Sequence, residues 1–208
     1  MPTPHLTPAK TLFQHTLSRL RYVYEEEEAP AVVELLMEEV YGISRMQVHS
    51  QELLDAERLN PFLELLATGM PLQQALGYAY FYGRKFRVSE AVLIPRRETE
   101  ELVYTLLQRH RPAIGKRLLD IGTGSGCIAL TLALELPQAT VWGLDISAEA
   151  LAVAKENGQR LGTTVHWLQE DILNWKNAAP EGPGISSSRT PLCMPHGKRT
   201  HGPSRPGF

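Results

Sequence analysis

The chain has 208 residues, a formal charge of −2 at neutral pH and two cysteines. That length supports one sizeable core plus a small second domain, and the near-neutral charge leaves no electrostatic footprint for general nucleic-acid binding. Cys127 and Cys193 are too few and too differently placed for a disulfide framework or a zinc cluster, so free thiols and no metal site are expected.

The N-terminal stretch lacks the apolar segment of a signal peptide, and no apolar run approaches the length of a membrane span, so a cytoplasmic protein is expected. Lys10, Arg19 and Arg21 without an acid in residues 5–23 leave an organellar presequence as the alternative. Leu12, Phe13, Leu17 and Leu20 instead fall at helical spacing, which favours an ordinary first helix. Glu25 to Glu28 read as a solvated segment. Val32, Val33, Leu35, Leu36, Met37 and Val40 stripe the next helix, which Gly42 should stop. Leu53, Leu54 and Leu59 are expected to begin another helix before Pro61. Residues 1–70 therefore predict a small helical bundle.

Residues 71–110 read as a connector with a strand hairpin, centred on Tyr80-Phe-Tyr-Gly-Arg-Lys-Phe-Arg-Val88. From Leu118 to Trp175 the alternation of strand and helix patterns predicts a doubly wound α/β sheet. The run from Leu118 to Leu130 is a buried strand, a glycine turn and a helix start in direct succession. Gly122, Thr123, Gly124, Ser125 and Gly126 form its turn, where absent Cβ atoms let backbone approach a bound molecule at the helix N-terminus. Thr140 to Asp145 predicts a second strand that delivers a carboxylate to a ribose, and Ser147 caps the helix after it, leaving Asp145 free. Val165 to Asp171 predicts a third strand, so that Asp171 and Ile172 would flank an adenine.

Asp120 completes the pattern D-x-G-x-G-x-G, which resembles the first motif of the Rossmann-like methyltransferases that use S-adenosylmethionine. A dinucleotide fingerprint needs glycine where Cys127 stands, which counts against the alternative of an NAD-type site. Pro71-Leu-Gln-Gln-Ala-Leu-Gly77, Phe81-Tyr-Gly83 and Val92-Leu-Ile-Pro-Arg-Arg-Glu-Thr-Glu100 closely resemble the segment joining the two domains of the HemK/PrmC family. Its members are the protein-(glutamine N5)-methyltransferases of peptide chain release factors. The resemblance covers about residues 8–175. It implies a helical domain that grips the release factor, S-adenosylmethionine as cofactor, no direct nucleic-acid partner and a monomer. Within the connector, Arg96, Glu98 and Glu100 offer charge that can hold a substrate loop or pair internally.

The family's Asn-Pro-Pro-Tyr motif should follow the fourth strand soon after Trp175, and the sequence does not contain it. A glutamine amide nitrogen is a poor nucleophile that must be clasped in line with the methyl donor, so no catalytic residue is assigned and the chain as it stands is expected to be inactive. Residues 111–184 would be the N-terminal half of the methyltransferase domain, incomplete at its C-terminus. Residues 185–208 are rich in proline and glycine, and no folded strand is readable in them. With suitable codons, residues 185–191 read one base out of phase give Leu-Ile-Val-Ser-Asn-Pro, and residues 192–208 in the remaining frame give a sequence resembling the family's continuation. Two frameshifts are the leading account of this tail. The competing function is a non-catalytic remnant that binds cofactor or release factor, and a nucleic-acid amine methyltransferase is the rival within the enzyme class.

Overall fold

The structure is a computed structural model that describes residues 5–111 and 113–174, together with the backbone of 192–195. The chain divides into two compact units, Met1–Gly77 and Tyr78–Phe208.

The first unit runs β1 (Leu6–Pro8), α1 (Ala9–Leu20), α2 (Ala29–Tyr41), β2 (Leu53–Asp55), α3 (Asn60–Ala67) and α4 (Leu72–Leu76). Short 3-10 turns cover Gln47–His49 and Ala56–Leu59. Leu12, Phe13 and Leu20 of α1 meet Val33, Leu36 and Met37 of α2, the i, i+3, i+4 spacing of a helix that buries one face. Completely burying Leu36 and Met37, or Leu59 and Leu66 beyond them, is worth about 1.5–3 kcal/mol per side chain. Pro30 in the first turn starts α2 without losing a bond, and Gly42 in the left-handed region (φ 71°) ends it by donating to the Glu38 carbonyl.

One expected helix is absent here. Leu53 and Leu54 lie in β2, which pairs antiparallel with β1 through Thr7 and Leu54. Leu53 is exposed and Leu54 buried, the alternation of a strand. Pro61 opens α3 rather than closing a helix, because a proline in the first turn needs no N–H.

The second unit begins with an antiparallel hairpin, β3 (Tyr78–Phe81) and β4 (Arg84–Arg87). Its two-residue turn places Tyr82 at φ 51° and Gly83 at φ 71°, the left-handed pair that matches strand twist. Then follow α5 (Arg97–His110), β5 (Arg117–Ile121), α6 (Cys127–Glu135), β6 (Thr140–Asp145), α7 (Ala148–Leu161), β7 (His166–Gln169) and β8 (Leu192–Pro195). The sheet order is β7-β6-β5-β8 and every pairing is parallel. Leu118 of β5, Val141 of β6 and Val165, which immediately precedes β7, join one core with Val103 and Leu107 of α5 and Ile128 and Leu130 of α6. A smaller cluster packs Ala150 and Val153 of α7 against Ala79, Val88 and Val92.

The strand β8 was not readable in the tail. Its backbone pairs with β5 from Leu118↔Leu192 to Ile121↔Pro195. Four residues are too few to carry a pattern, whereas the edge of a buried strand offers a full row of backbone groups needing partners. Apart from those four residues, the out-of-frame reading of 185–208 lies outside the described residues.

Candidate cofactor site

Parallel strands carry the ends of β5, β6 and β7 to one edge of the sheet, where open α/β sheets bind their ligands. The turn after β5 is built from ties between these strands. The Gly122 and Thr123 N–H groups both donate to the Leu144 carbonyl, at 2.8 and 2.9 Å. Gly124 N–H donates to Asp145 Oδ2 at 2.9 Å, and Gly126 N–H to the Thr123 carbonyl at 2.8 Å. Beneath them the buried Asp120 carboxylate accepts from Thr123 Oγ1 at 2.7 Å.

The glycines are required for different reasons. Gly124 sits at φ 54°, and a Cβ on it would meet nothing nearer than the Gly122 carbonyl at 3.9 Å. Its open side is the space a ligand can enter. Gly126, at φ 77°, is closed in: a Cβ would lie 3.0 Å from both Ala154 and the Trp167 ring. The third glycine therefore serves helix-to-strand packing. Gly143, a position not singled out in the sequence, is emptier still of room, since a Cβ there would stand 2.4 Å from Trp167. The Trp167 indole thus occupies the space left by Gly126 and Gly143, and the partly apolar run around it gave no hint of that.

Asp145 ends β6, half-buried beside the glycine turn. Ser147 is the cap of α7 as expected, accepting from Ala150 N–H at 3.0 Å. Asp145 is nevertheless not left free, because Oδ1 also accepts from Ser147 N–H at 3.0 Å while Oδ2 holds Gly124. Each carboxylate oxygen has a second lone pair, so two hydroxyls can still be accepted. The expected third strand stops at Gln169, and Asp171 lies beyond it, where it closes the turn Ile172–Asn174. Asp171 Oδ1 accepts from Leu173 N–H at 2.9 Å and Oδ2 from Asn174 Nδ2 at 2.6 Å. Ile172 is exposed next to it.

Asn157 was not anticipated. It is completely buried on the α7 stripe formed by Ala150, Val153 and Ala154. Its Oδ1 accepts from Arg87 N–H at 2.7 Å, and its Nδ2 donates to the Arg87 carbonyl at 3.0 Å and the Ser125 carbonyl at 2.9 Å. A polar residue in an apolar helical stripe was the available signal, since burial demands that such a group be bonded.

Of the connector charges, Glu100 accepts from Tyr82 N–H at 3.0 Å and so pins the hairpin turn, while Arg96 and Glu98 stand exposed at the start of α5. Cys127 is a buried free thiol whose pKa burial pushes up to about 12, with the Asp120 carboxylate adding to the rise. That makes it an unreactive packing residue. Among the described residues no helix is long and apolar enough to cross a membrane, and no cluster of three or more histidine, cysteine or acidic residues could hold a metal ion.

Residues 113–182 match a model of the methyltransferase domain. The release factor glutamine methyltransferase of Bacillus subtilis is 39% identical over 173 residues, which are 79% of this chain and 60% of that protein. The protein of the same name from Bacteroides thetaiotaomicron is 39% identical over 74% of this chain and 57% of its own length. A solved S-adenosylmethionine-dependent methyltransferase from Thiobacillus denitrificans, in complex with S-adenosyl-L-homocysteine, is 30% identical but covers only 36% of this chain and 31% of its own, with a TM-score of 0.32. That short overlap adds nothing to the fold described above. The chain thus spans about 60% of the length of the curated relatives it matches and, along that length, is similar to the release factor glutamine methyltransferases.

Proposed function

We propose that this chain binds S-adenosylmethionine at the C-terminal edge of its sheet. The turn formed by Gly122, Thr123, Gly124, Ser125 and Gly126 meets the methionyl end through the open side of Gly124, Asp145 accepts from the ribose hydroxyls, and Asp171 and Ile172 flank the adenine. The observation that carries this reading is the use of N–H groups within the turn: those of Gly122, Thr123, Gly124 and Gly126 are all bonded to the protein's own oxygens. A pyrophosphate would need such donors free. A methionyl group with its ammonium needs acceptors and a close approach, which the open side of Gly124 provides. The NAD alternative loses its main support.

Bound there, S-adenosylmethionine supplies an electrophilic methyl group on a positively charged sulfur. This chain's residues hold the donor and shape the edge of the sheet beside it. Family relatives are named for release factors, and we extend that substrate to this chain's lineage: the side-chain amide of the Gly-Gly-Gln glutamine, met by a monomer in the cytoplasm. The 208 residues contain no Asn-Pro-Pro-Tyr to clasp that amide, so this chain binds the cofactor without transferring the methyl group.

Calorimetry of the 208-residue chain with S-adenosylhomocysteine and, in parallel, NAD tests the site. Saturable binding of the first alone is expected; binding of NAD alone, or of neither, refutes the assignment. Mass spectrometry of a release factor incubated with chain and S-adenosylmethionine should show no added methyl group, and a methylated glutamine would refute the second half.

A further inference from the structure

We infer that Asn157 is a positioning residue of the cofactor site, coupling the glycine turn to the connector strand β4. The inference rests on the cofactor reading above and goes beyond it by assigning a role to a residue that touches no ligand.

Three bonds converge on this one amide in a fully buried position. The Ser125 carbonyl and the Gly126 N–H belong to the same peptide plane. Asn157 holds the first, at 2.9 Å, and the Thr123 carbonyl holds the second, at 2.8 Å. The plane joining Thr123 to Gly124 is likewise fixed at both ends, by Gly126 N–H and by Asp145. The peptide between Gly124 and Ser125 is therefore set from both sides, and Asn157 supplies one of the two clamps. Its remaining groups treat Arg87 as a neighbouring strand would, accepting from its N–H and donating to its carbonyl. Arg87 is the last residue of β4, and an ion pair between its guanidinium and Glu156 ties the same strand end to α7. Val88 and Val92 follow and pack on α7, leading to the Pro95 to Glu100 stretch. A shift of the connector is thus felt at the Ser125 carbonyl through a single side chain. No other residue type offers one acceptor and two donors on so short a stem.

Two substitutions read the coupling. Asn157→Asp keeps the acceptor and removes both donors; Asn157→Ala removes everything. Both should weaken S-adenosylhomocysteine binding roughly ten-fold or more, the loss expected when buried carbonyls go unpaired. Leu107→Ala in α5 is the control: it lowers the melting temperature through the shared core and should leave affinity unchanged at temperatures well below each melt. Hydrogen exchange adds a readout independent of affinity. In the wild-type chain the cofactor product should slow exchange at Arg87, and in the Asn157 variants this response should vanish. Should both variants fail to fold, Arg87→Pro, which removes the N–H that donates to Asn157, is compared with Arg87→Ala, which removes only the ion pair; affinity should fall in the first alone. Equal affinity in wild type and Asn157 variants, or equal losses in Arg87→Pro and Arg87→Ala, overturns the coupling alone. A wild-type chain that binds no S-adenosylhomocysteine overturns the cofactor reading, and the coupling with it.

Discussion

The two units of this chain bury different kinds of atoms. In Met1–Gly77 the described buried residues are apolar apart from Thr16, and its helices meet through leucine, valine and methionine. In the second unit Asp120, Thr123, Ser125, Thr131 and Asn157 are all buried, and four of these gather around one turn. Apolar packing is non-directional and tolerates exchange of shape. A buried hydrogen-bonded network accepts only one arrangement, which makes it costly to alter and suited to holding backbone in place. The ordered backbone of the second unit lies at the turn proposed above to hold the cofactor.

The largest effect on stability should come from the apolar unit. Leu36→Ala should cost about 2–5 kcal/mol, read by urea unfolding, while S-adenosylhomocysteine affinity measured well below the transition stays constant. An equal loss of affinity would dissolve the distinction between the units. Asp145→Ala should do the reverse. Loss of charge-assisted bonds to the ribose should weaken binding by about 1.5–3 kcal/mol in calorimetry, and unchanged affinity would remove Asp145 from the site. Gly143→Ala forces a Cβ into the Trp167 ring and should destabilise by about 1–3 kcal/mol. Adding Trp167→Leu should restore part of that, whereas strict additivity of the two changes in thermal melts would refute the packing account.

The smallest effect belongs to the ion pairs at the far end of the sheet's helices. Arg84 and Arg111 each donate to the Glu135 carboxylate at 2.6 Å, and the Arg84 hydrogen bond chiefly holds its pKa below the usual 4.5. A pKa lowered in the folded state stabilises the fold above the unfolded value and is lost as pH falls through the folded one. Stability of the wild-type chain should therefore decline below about pH 4.5 more steeply than that of Glu135→Gln, by about 0.5–1 kcal/mol. Parallel acid limbs in denaturant titrations at several pH values would show that the pairs contribute nothing.

Much of the methyltransferase unit was legible before its coordinates. Glycine at 122, 124 and 126, the strand ending at Asp145 and the Ser147 cap are local signals, because turn sterics and capping act within a few residues. The hairpin was legible from Tyr80 to Val88 for the same reason. Leu53 and Leu54 were misread because two leucines fit either period, and only the partner strand β1 selected extended backbone. The engagement of Asp145 with Gly124 was hidden by their separation of 21 positions along the chain.

The sequence alone determined the glycine turn, the alternation of strand and helix from Leu118 onward, and the placing of Asp145 at the end of a strand. These follow from each residue's own backbone preference and from the spacing of its apolar neighbours. Tertiary structure decided what those residues do once there: Asp145 fastens the glycine turn, Gly143 yields to Trp167, Leu192 to Pro195 join β5, and Asn157 ties Ser125 to Arg87. Each of these depends on groups far apart in the chain meeting in a low-dielectric interior, where an unpaired carbonyl or a missing side chain is settled by whatever the fold brings beside it.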